Sequence, residues 1–224
     1  ASGRVRGVAT RDVLTGATST VSARTVVLAA GAWTDEMVRR FEVPIEADLL
    51  RRTKGVHLVI PHERLPLGRA ITLISPVDGR VMFAIPWRGR TVIGTTDTDF
   101  DGTADEVHAD AEDARYLCES VNGYFPAAQL TPADVIATWA GLRPLIRGGA
   151  GESESETSRE HEIFTRDDGL VIIAGGKLTT YRRMATEAVR KTVRWLRDHD
   201  DEFDAAGREH SGTKHRPLPG AAGL

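Results

Sequence analysis

The string Gly175-Gly176-Lys177-Leu178-Thr179-Thr180-Tyr181-Arg182 joins an apolar run, 170–174, to a long amphipathic stretch. Glycines at such a strand-to-helix turn let a ligand approach the backbone. The helix start offers unpaired N–H groups and a positive partial charge, and Lys177 adds a full one. An anion, or a ring that becomes anionic on reduction, would be stabilised there. The bland alternative is a turn capped by Thr179; two glycines with a lysine and two threonines favour a binding role. Gly31 closes a second apolar run, 25–31, just ahead of Trp33. Ligands in open α/β sheets bind at such strand ends, although taken alone the pattern is a common packing motif.

Three further residues carry the right chemistry. His57 follows Lys54-Gly55-Val56, Arg143 stands in Trp139-Ala140-Gly141-Leu142-Arg143-Pro144, and Arg159 stands in Ser158-Arg159-Glu160-His161. An imidazole serves as a general base, and a planar guanidinium suits a phosphate. Each also has a structural reading: a packed histidine, an arginine reaching solvent from a strand end, a surface ion pair. Their spacing does not show that they converge. Asp97-Thr98-Asp99-Phe100-Asp101-Gly102 imitates the first half of a calcium loop, but the twelfth position is His108 and a strand precedes it. That excludes an EF-hand, and no metal site is expected.

The elements that must position these residues are legible from periodicity and turn chemistry. Residues 3–10 and 17–21 read as a hairpin around Thr15-Gly16. The run 25–31 reads as a buried parallel strand, followed by a short helix over 34–41. From Ile45 the texture changes. Four strand candidates, 57–60, 70–74, 81–85 and 91–93, are separated by the turns 76–79 and 88–89, which suggests an antiparallel sheet. Residues 110–123 read as a helix with Asp110 and Asp113 at its start and Ala114, Leu117 and Val121 on one face. A further strand is expected over 135–142, and an acidic, serine-rich loop over 152–157. Strands over 162–165 and 170–174 flank the turn Asp167-Asp168-Gly169. They lead to a helix whose buried face is expected to carry Tyr181, Met184, Ala188, Val189, Val193 and Leu196. The whole predicts a mixed α/β chain. Part of an α/β domain (1–44 and 163–199) is interrupted by an antiparallel-sheet domain (45–162), with 200–224 as a linker or truncated region.

Composition narrows the function classes. The 224 residues are 41% hydrophobic and 27% charged, which excludes wholesale disorder. The 29 Lys and Arg stand against 32 Asp and Glu, a net charge of −3, and no nucleic-acid partner is expected. Cys118, the single cysteine, allows no internal disulfide. The longest charge-free stretch, 120–133, is too short and too polar for a membrane span. The chain opens at Ala1 without a methionine and reads as a piece of a longer protein. No G-x-G-x-x-G occurs, so a pyrophosphate site for a dinucleotide is expected upstream of Ala1.

Taken together, Leu28-Ala29-Ala30-Gly31-Ala32-Trp33, Lys54-Gly55-Val56-His57, Phe83-Ala84-Ile85-Pro86-Trp87, Gly94-Thr95-Thr96-Asp97-Thr98-Asp99, Trp139 to Leu145, and Gly175 to Arg182 occur in a telling order. Over roughly 26–196 the sequence resembles the FAD-dependent, quinone-linked glycerol-3-phosphate dehydrogenases of the D-amino-acid-oxidase-like flavoprotein superfamily. The resemblance implies oxidation of sn-glycerol 3-phosphate to glycerone phosphate, with FAD as cofactor and quinone as acceptor. It further implies peripheral contact with the cytoplasmic face of the cell membrane, and a homodimer. It makes His57 the candidate base and puts Arg143 beside the reacting carbon. Arg159 falls on the substrate phosphate, and Lys177 and Thr179 on the flavin and substrate. Gly31, Gly175, Gly176 and Leu178 become flavin neighbours. The resemblance makes the interrupted α/β domain part of a Rossmann-like FAD-binding domain. Val56 replaces the family's usual serine and Ala32 its proline, both mild changes. The family's N-terminal fingerprint and C-terminal helical domain are not in this sequence, so this piece alone is expected to be inactive. Three alternatives stay open: an oxygen-dependent glycerol-phosphate oxidase, an amine or amino-acid oxidase of the same superfamily, and a non-enzymatic module.

Overall fold

The structure, a computed structural model, describes residues 3–41, 48–147, 160–204, 206 and 211–221. The chain begins with strands β1 (Gly7–Arg11), β2 (Thr18–Ser22) and β3 (Val26–Leu28), then helix α1 (Thr34–Arg40). Next come β4 (Leu50–Pro61), β5 (Ile71–Ile74), β6 (Val81–Trp87), β7 (Arg90–Gly94) and β8 (Thr98–Asp99). Helix α2 (Ala111–Asn122), β9 (Ala137–Ile146), β10 (His161–Thr165), β11 (Leu170–Gly175) and helix α3 (Tyr181–His199) complete it. Two compact units result: Ala1–Leu50 with Pro144–Leu224, and Arg51–Arg143.

In the first unit, β1 and β2 form the expected hairpin, with Gly7 opposite Ser22. Asp12 shapes its turn by accepting the backbone N–H groups of Leu14 and Thr15. A separate three-stranded sheet runs β10-β11-β3. β3 and β11 are parallel, with Leu28 beside Ile172, whereas β10 and β11 are antiparallel. β11 is buried from Leu170 to Ala174, because apolar side chains cover both faces. Leu28, Val38, Leu170 and Ile172 pack together on one side, and Ile163, Val171, Ile173 and Ala188 on the other. β3 is less buried than its sequence suggests, since Val27 is exposed. Asp35 is buried on α1 and accepts the N–H groups of Leu49 and Leu50; burial pushes its carboxyl pKa up, against those two hydrogen bonds.

The face of α3 differs from the expectation. Tyr181 and Val189 are exposed, and Trp195 joins Ala188, Val193 and Leu196 inside. Trp195 lies across Gly169, where a Cβ would come within 2.9 Å of its ring. Gly169 in the β10–β11 turn thus leaves room for the indole.

In the second unit the strands lie in the order β5-β6-β7-β4-β8, with β9 also paired to β4. Val56, Leu58 and Ile60 of β4 are fully buried and share a core with Ala114, Leu117 and Val121 of α2. Alternation in the strand leaves His57 on the other face. β4 starts at Leu50, seven residues before the expected His57, and carries a buried Lys54. That lysine donates to Asp110 at 2.7 Å and to Asp113 at 2.6 Å. Both carboxylates belong to the capping box of α2, and the Lys54 hydrogen bond holds the Asp110 pKa down to about 2. One ion cluster thus fixes the start of α2 to the strand that carries His57. Among the described residues no helix is long and apolar enough to cross a membrane, and no group of acidic, histidine or cysteine side chains is placed to hold a metal.

Candidate active site

The second unit brings His57 and Arg143 together. Strand pairing sets His57 opposite Gly94, which in turn stands opposite Phe83. The imidazole stacks on Trp139 with centroids 5.0 Å apart and planes 14° from parallel. On its other side a Cβ on Gly94 would come within 2.2 Å of His57 Cδ2, so only glycine leaves room for the ring. His57 Nδ1 is buried and has no hydrogen-bond partner among the described residues. Leaving such an atom unpaired costs about 1–3 kcal/mol.

Arg143 lies inside β9, not at a strand end, and its guanidinium is held. Nη1 donates to Asp97 Oδ1, and Nη2 donates to Thr95 Oγ1 and to the Thr96 carbonyl, each at 3.1 Å. Asp97, read from sequence as part of an Asp-rich turn, is therefore a carboxylate partner of Arg143, and Asp99 pairs with Arg51 instead. Burial, and then the Arg143 charge, push the His57 pKa below 6.5. The imidazole is consequently neutral, and able to accept a proton, at neutral pH.

A pH dependence follows. A base works in its unprotonated form, so with His57 as the expected base the acidic limb of the rate is expected below pH 6.5. In Arg143→Gln, which lacks the repelling charge, that limb moves up toward 6.5 while the overall rate falls. Rates of flavin reduction across pH 4.5–8 check this, and a limb at or above 6.5 in the native protein contradicts it.

The first unit brings the glycine set together at the C-terminal ends of its two adjacent parallel strands. Gly31 has φ +57, and a Cβ there would meet nothing within 4 Å. Gly175 and Gly176 have φ +72 and +81. The backbone then turns through the short 3-10 stretch Leu178–Thr180 into α3, with Lys177, Leu178 and Thr179 all exposed. The local cap is Thr180, not Thr179: Thr180 Oγ1 accepts from the Lys177 N–H at 3.2 Å and donates to the Lys177 carbonyl at 2.9 Å. Thr179 is thereby left without a capping role. Open backbone at Gly31, left-handed glycines at the neighbouring strand end, a cation and a helix start fit a flavin: a flat ring can approach the chain there and find N–H donors at its polar edge. A cavity of about 1030 Å³ lies at the opposite, N-terminal ends of β3 and β11, lined by Arg4, Val26, Phe41 and Leu170, and no predicted site residue lines it. Arg159 and the acidic loop 152–157 lie outside the described residues.

Sequence reasoning missed Trp139, Gly94, Gly55, Asp97 and Thr95 as neighbours of these side chains. The string from Gly94 to Asp97 stands out by composition, but its pairing with the strand of His57 is non-local and not written along the chain.

Comparison with known proteins identifies the family. A family model described as FAD dependent oxidoreductase matches residues 1–182. The aerobic glycerol-3-phosphate dehydrogenase of Staphylococcus haemolyticus (strain JCSC1435) is 41% identical over 217 residues, covering 97% of this chain and 38% of that protein. The enzyme of the same name from Staphylococcus aureus (strain USA300) is 44% identical over 186 residues, covering 83% and 33%. The X-ray structure of the glycerol-3-phosphate dehydrogenase from Bacillus halodurans complexed with FAD superposes with a TM-score of 0.76 at 41% identity, covering 93% of this chain and 39% of that one. The chain thus spans well under half the length of these relatives. With four fifths of its residues inside the family model and its glycine-ended parallel strands in place, the chain belongs to the FAD dependent oxidoreductase family.

Proposed function

We propose that the chain is part of an FAD-dependent enzyme that oxidises sn-glycerol 3-phosphate to glycerone phosphate. The observation that carries this reading is the pairing on one sheet of a neutral, desolvated His57 with a fixed Arg143 guanidinium. Identity of 41–44% to aerobic glycerol-3-phosphate dehydrogenases supports it.

The flavin, when bound, supplies the acceptor for the hydride that leaves C2 of the substrate. The C2 hydroxyl must lose its proton as its C–O bond becomes a carbonyl. His57 takes that proton at Nε2, since Nδ1 faces the protein interior. Arg143 offsets the negative charge that develops on the same oxygen. The Gly175–Thr179 turn and Gly31 hold the cofactor, with Lys177 and Thr179 shared with the substrate. Arg159 is assigned to the substrate phosphate. Quinone is the proposed acceptor of the electrons, reached at the cytoplasmic face of the membrane by a homodimer.

Anaerobic addition of sn-glycerol 3-phosphate to the full-length protein is expected to bleach its bound flavin, whereas glycerol and D-amino acids leave it oxidised. In Arg159→Ala the substrate concentration needed rises roughly ten- to a hundredfold, the worth of a charge-assisted hydrogen bond of about 1.5–3 kcal/mol. Bleaching by D-amino acids but not by the phosphate ester overturns the substrate assignment. Stoichiometric peroxide in air, with no quinone reduction, replaces the acceptor with oxygen.

A further inference from the structure

Gly55 stands in the middle of β4, buried, between Lys54 and Val56. Its backbone is not in the left-handed region, so torsion alone would tolerate a side chain. The space above it would not. An alanine Cβ would stand 2.5 Å from Arg143 Nη2, 2.7 Å from Nη1 and 2.8 Å from Cζ. The guanidinium therefore lies flat on the strand where a side chain would otherwise be.

The groups that hold the guanidinium in plane come from the three residues after β7. Thr95 Oγ1, the Thr96 carbonyl and the Asp97 carboxylate each accept from it. This segment is itself tied to β4 one residue beyond Gly55. Thr96 Oγ1 accepts the Val56 N–H at 3.0 Å, and the Thr96 N–H donates to the Val56 carbonyl. The Asp97 carbonyl accepts from the Arg80 guanidinium, which fixes the far end of the segment. A glycine floor and a three-acceptor wall are thus built from one strand and one tethered turn.

We propose that Gly55 and Asp97 are positioning residues that together seat the Arg143 guanidinium, Gly55 by having no Cβ and Asp97 by supplying the charged acceptor. The proposal rests on the reading of Arg143 as a substrate residue only for its effect on rate; the seat itself is a statement about packing. Gly55→Ala lifts the guanidinium off the strand, and a misplacement of about 1 Å at a reacting centre costs about 10²-fold in rate. Asp97→Asn keeps shape and an acceptor but loses the charge, and slows the reaction about tenfold.

The test is a double-mutant cycle in the full-length, FAD-loaded protein, read both as the rate of flavin reduction and as Tm. Gly55→Ala and Asp97→Asn are each expected to lower the rate in the native background and to have no further effect in Arg143→Ala. Gly55→Ala is expected to lower Tm when Arg143 is present and not when Arg143→Ala has emptied the space. If Gly55→Ala alone does not fold, recovery of a folded Gly55→Ala/Arg143→Ala protein is the expected result, and failure of the double variant to fold overturns the seat. Equal losses of rate and Tm in both backgrounds also overturn it. Should Arg143→Ala reduce its flavin at the native rate, the catalytic reading of Arg143 fails, while the Tm cycle still decides the seat.

Discussion

Replacing His57 with alanine is expected to slow the reduction of bound flavin by glycerol 3-phosphate about 10²–10⁴-fold, the usual worth of a positioned general base. Flavin content should be unchanged, because no residue of the glycine-rich strand ends is touched. Stability should fall only modestly. The ring is packed between Trp139 and the open position at Gly94, but its removal also deletes a buried nitrogen with no partner among the described residues. Loss of packing and relief of an unsatisfied polar atom oppose each other. Stopped-flow mixing under anaerobic conditions separates the chemical step from electron delivery to the acceptor. If His57→Ala reduces its flavin at the native rate, the base lies elsewhere and His57 is a packing residue.

The second large effect is expected at Gly175, read as flavin occupancy. Its φ of +72 is a region that costs an L-residue about 1–2 kcal/mol. A Cβ there would also stand 2.5 Å from the Glu160 carbonyl oxygen and 2.9 Å from Ile146 Cγ1. The carbonyl is backbone in the paired hairpin and already accepts the Gly176 N–H, so it cannot rotate away cheaply. Overpacking of that kind adds about 1–3 kcal/mol, for a total of about 2–5 kcal/mol. Gly175→Ala should therefore lower Tm and leave the full-length protein largely colourless. Gly31→Ala is the control for Tm alone, since a Cβ there would enter the space assigned to the flavin. Its φ of +57 carries the strain, but its Cβ would meet open space, so about 1–2 kcal/mol is expected. Absorbance near 450 nm per polypeptide, together with Tm, checks both. A Gly175→Ala protein that keeps its flavin and its Tm, or a Gly31→Ala protein with the larger loss of Tm, would show that the turn does not do this work.

Local pattern carried much of the fold. The β5–β6–β7 meander, the α2 helix with its Asp110 cap and the β10–β11 hairpin all follow from turn residues and periodicity, which are local signals. What escaped was non-local. The first half of β4 reads Arg51-Arg52-Thr53-Lys54, too polar for a buried strand until Asp110 and Asp113 arrive from a helix more than fifty residues on. Trp195 is inside α3 because Gly169 gives it a place, which no helical wheel shows. The site was legible in part. Residue type and motif picked out His57, Arg143 and the glycines, yet nothing along the chain says that Asp97 holds Arg143, or that Gly55 and Gly94 are glycines for the sake of the side chains beside them.

The parallel pairing of β3 with β11 has a consequence for how the chain is made. Leu28 meets Ile172, and Thr25 Oγ1 closes on the Gly169 carbonyl, across 144 positions. The meander between them pairs neighbours, so it can form as soon as it leaves the ribosome. At roughly 5–20 residues per second, β3 waits roughly 7–30 s for its partner. During that interval the edge of Val26-Val27-Leu28 that meets β11 is open, a template for any other extended chain nearby. Loop closure of this length also slows the final step relative to the local one. Of the two units, the one that carries the glycine strand ends therefore closes its sheet after the meander of the other has been synthesised.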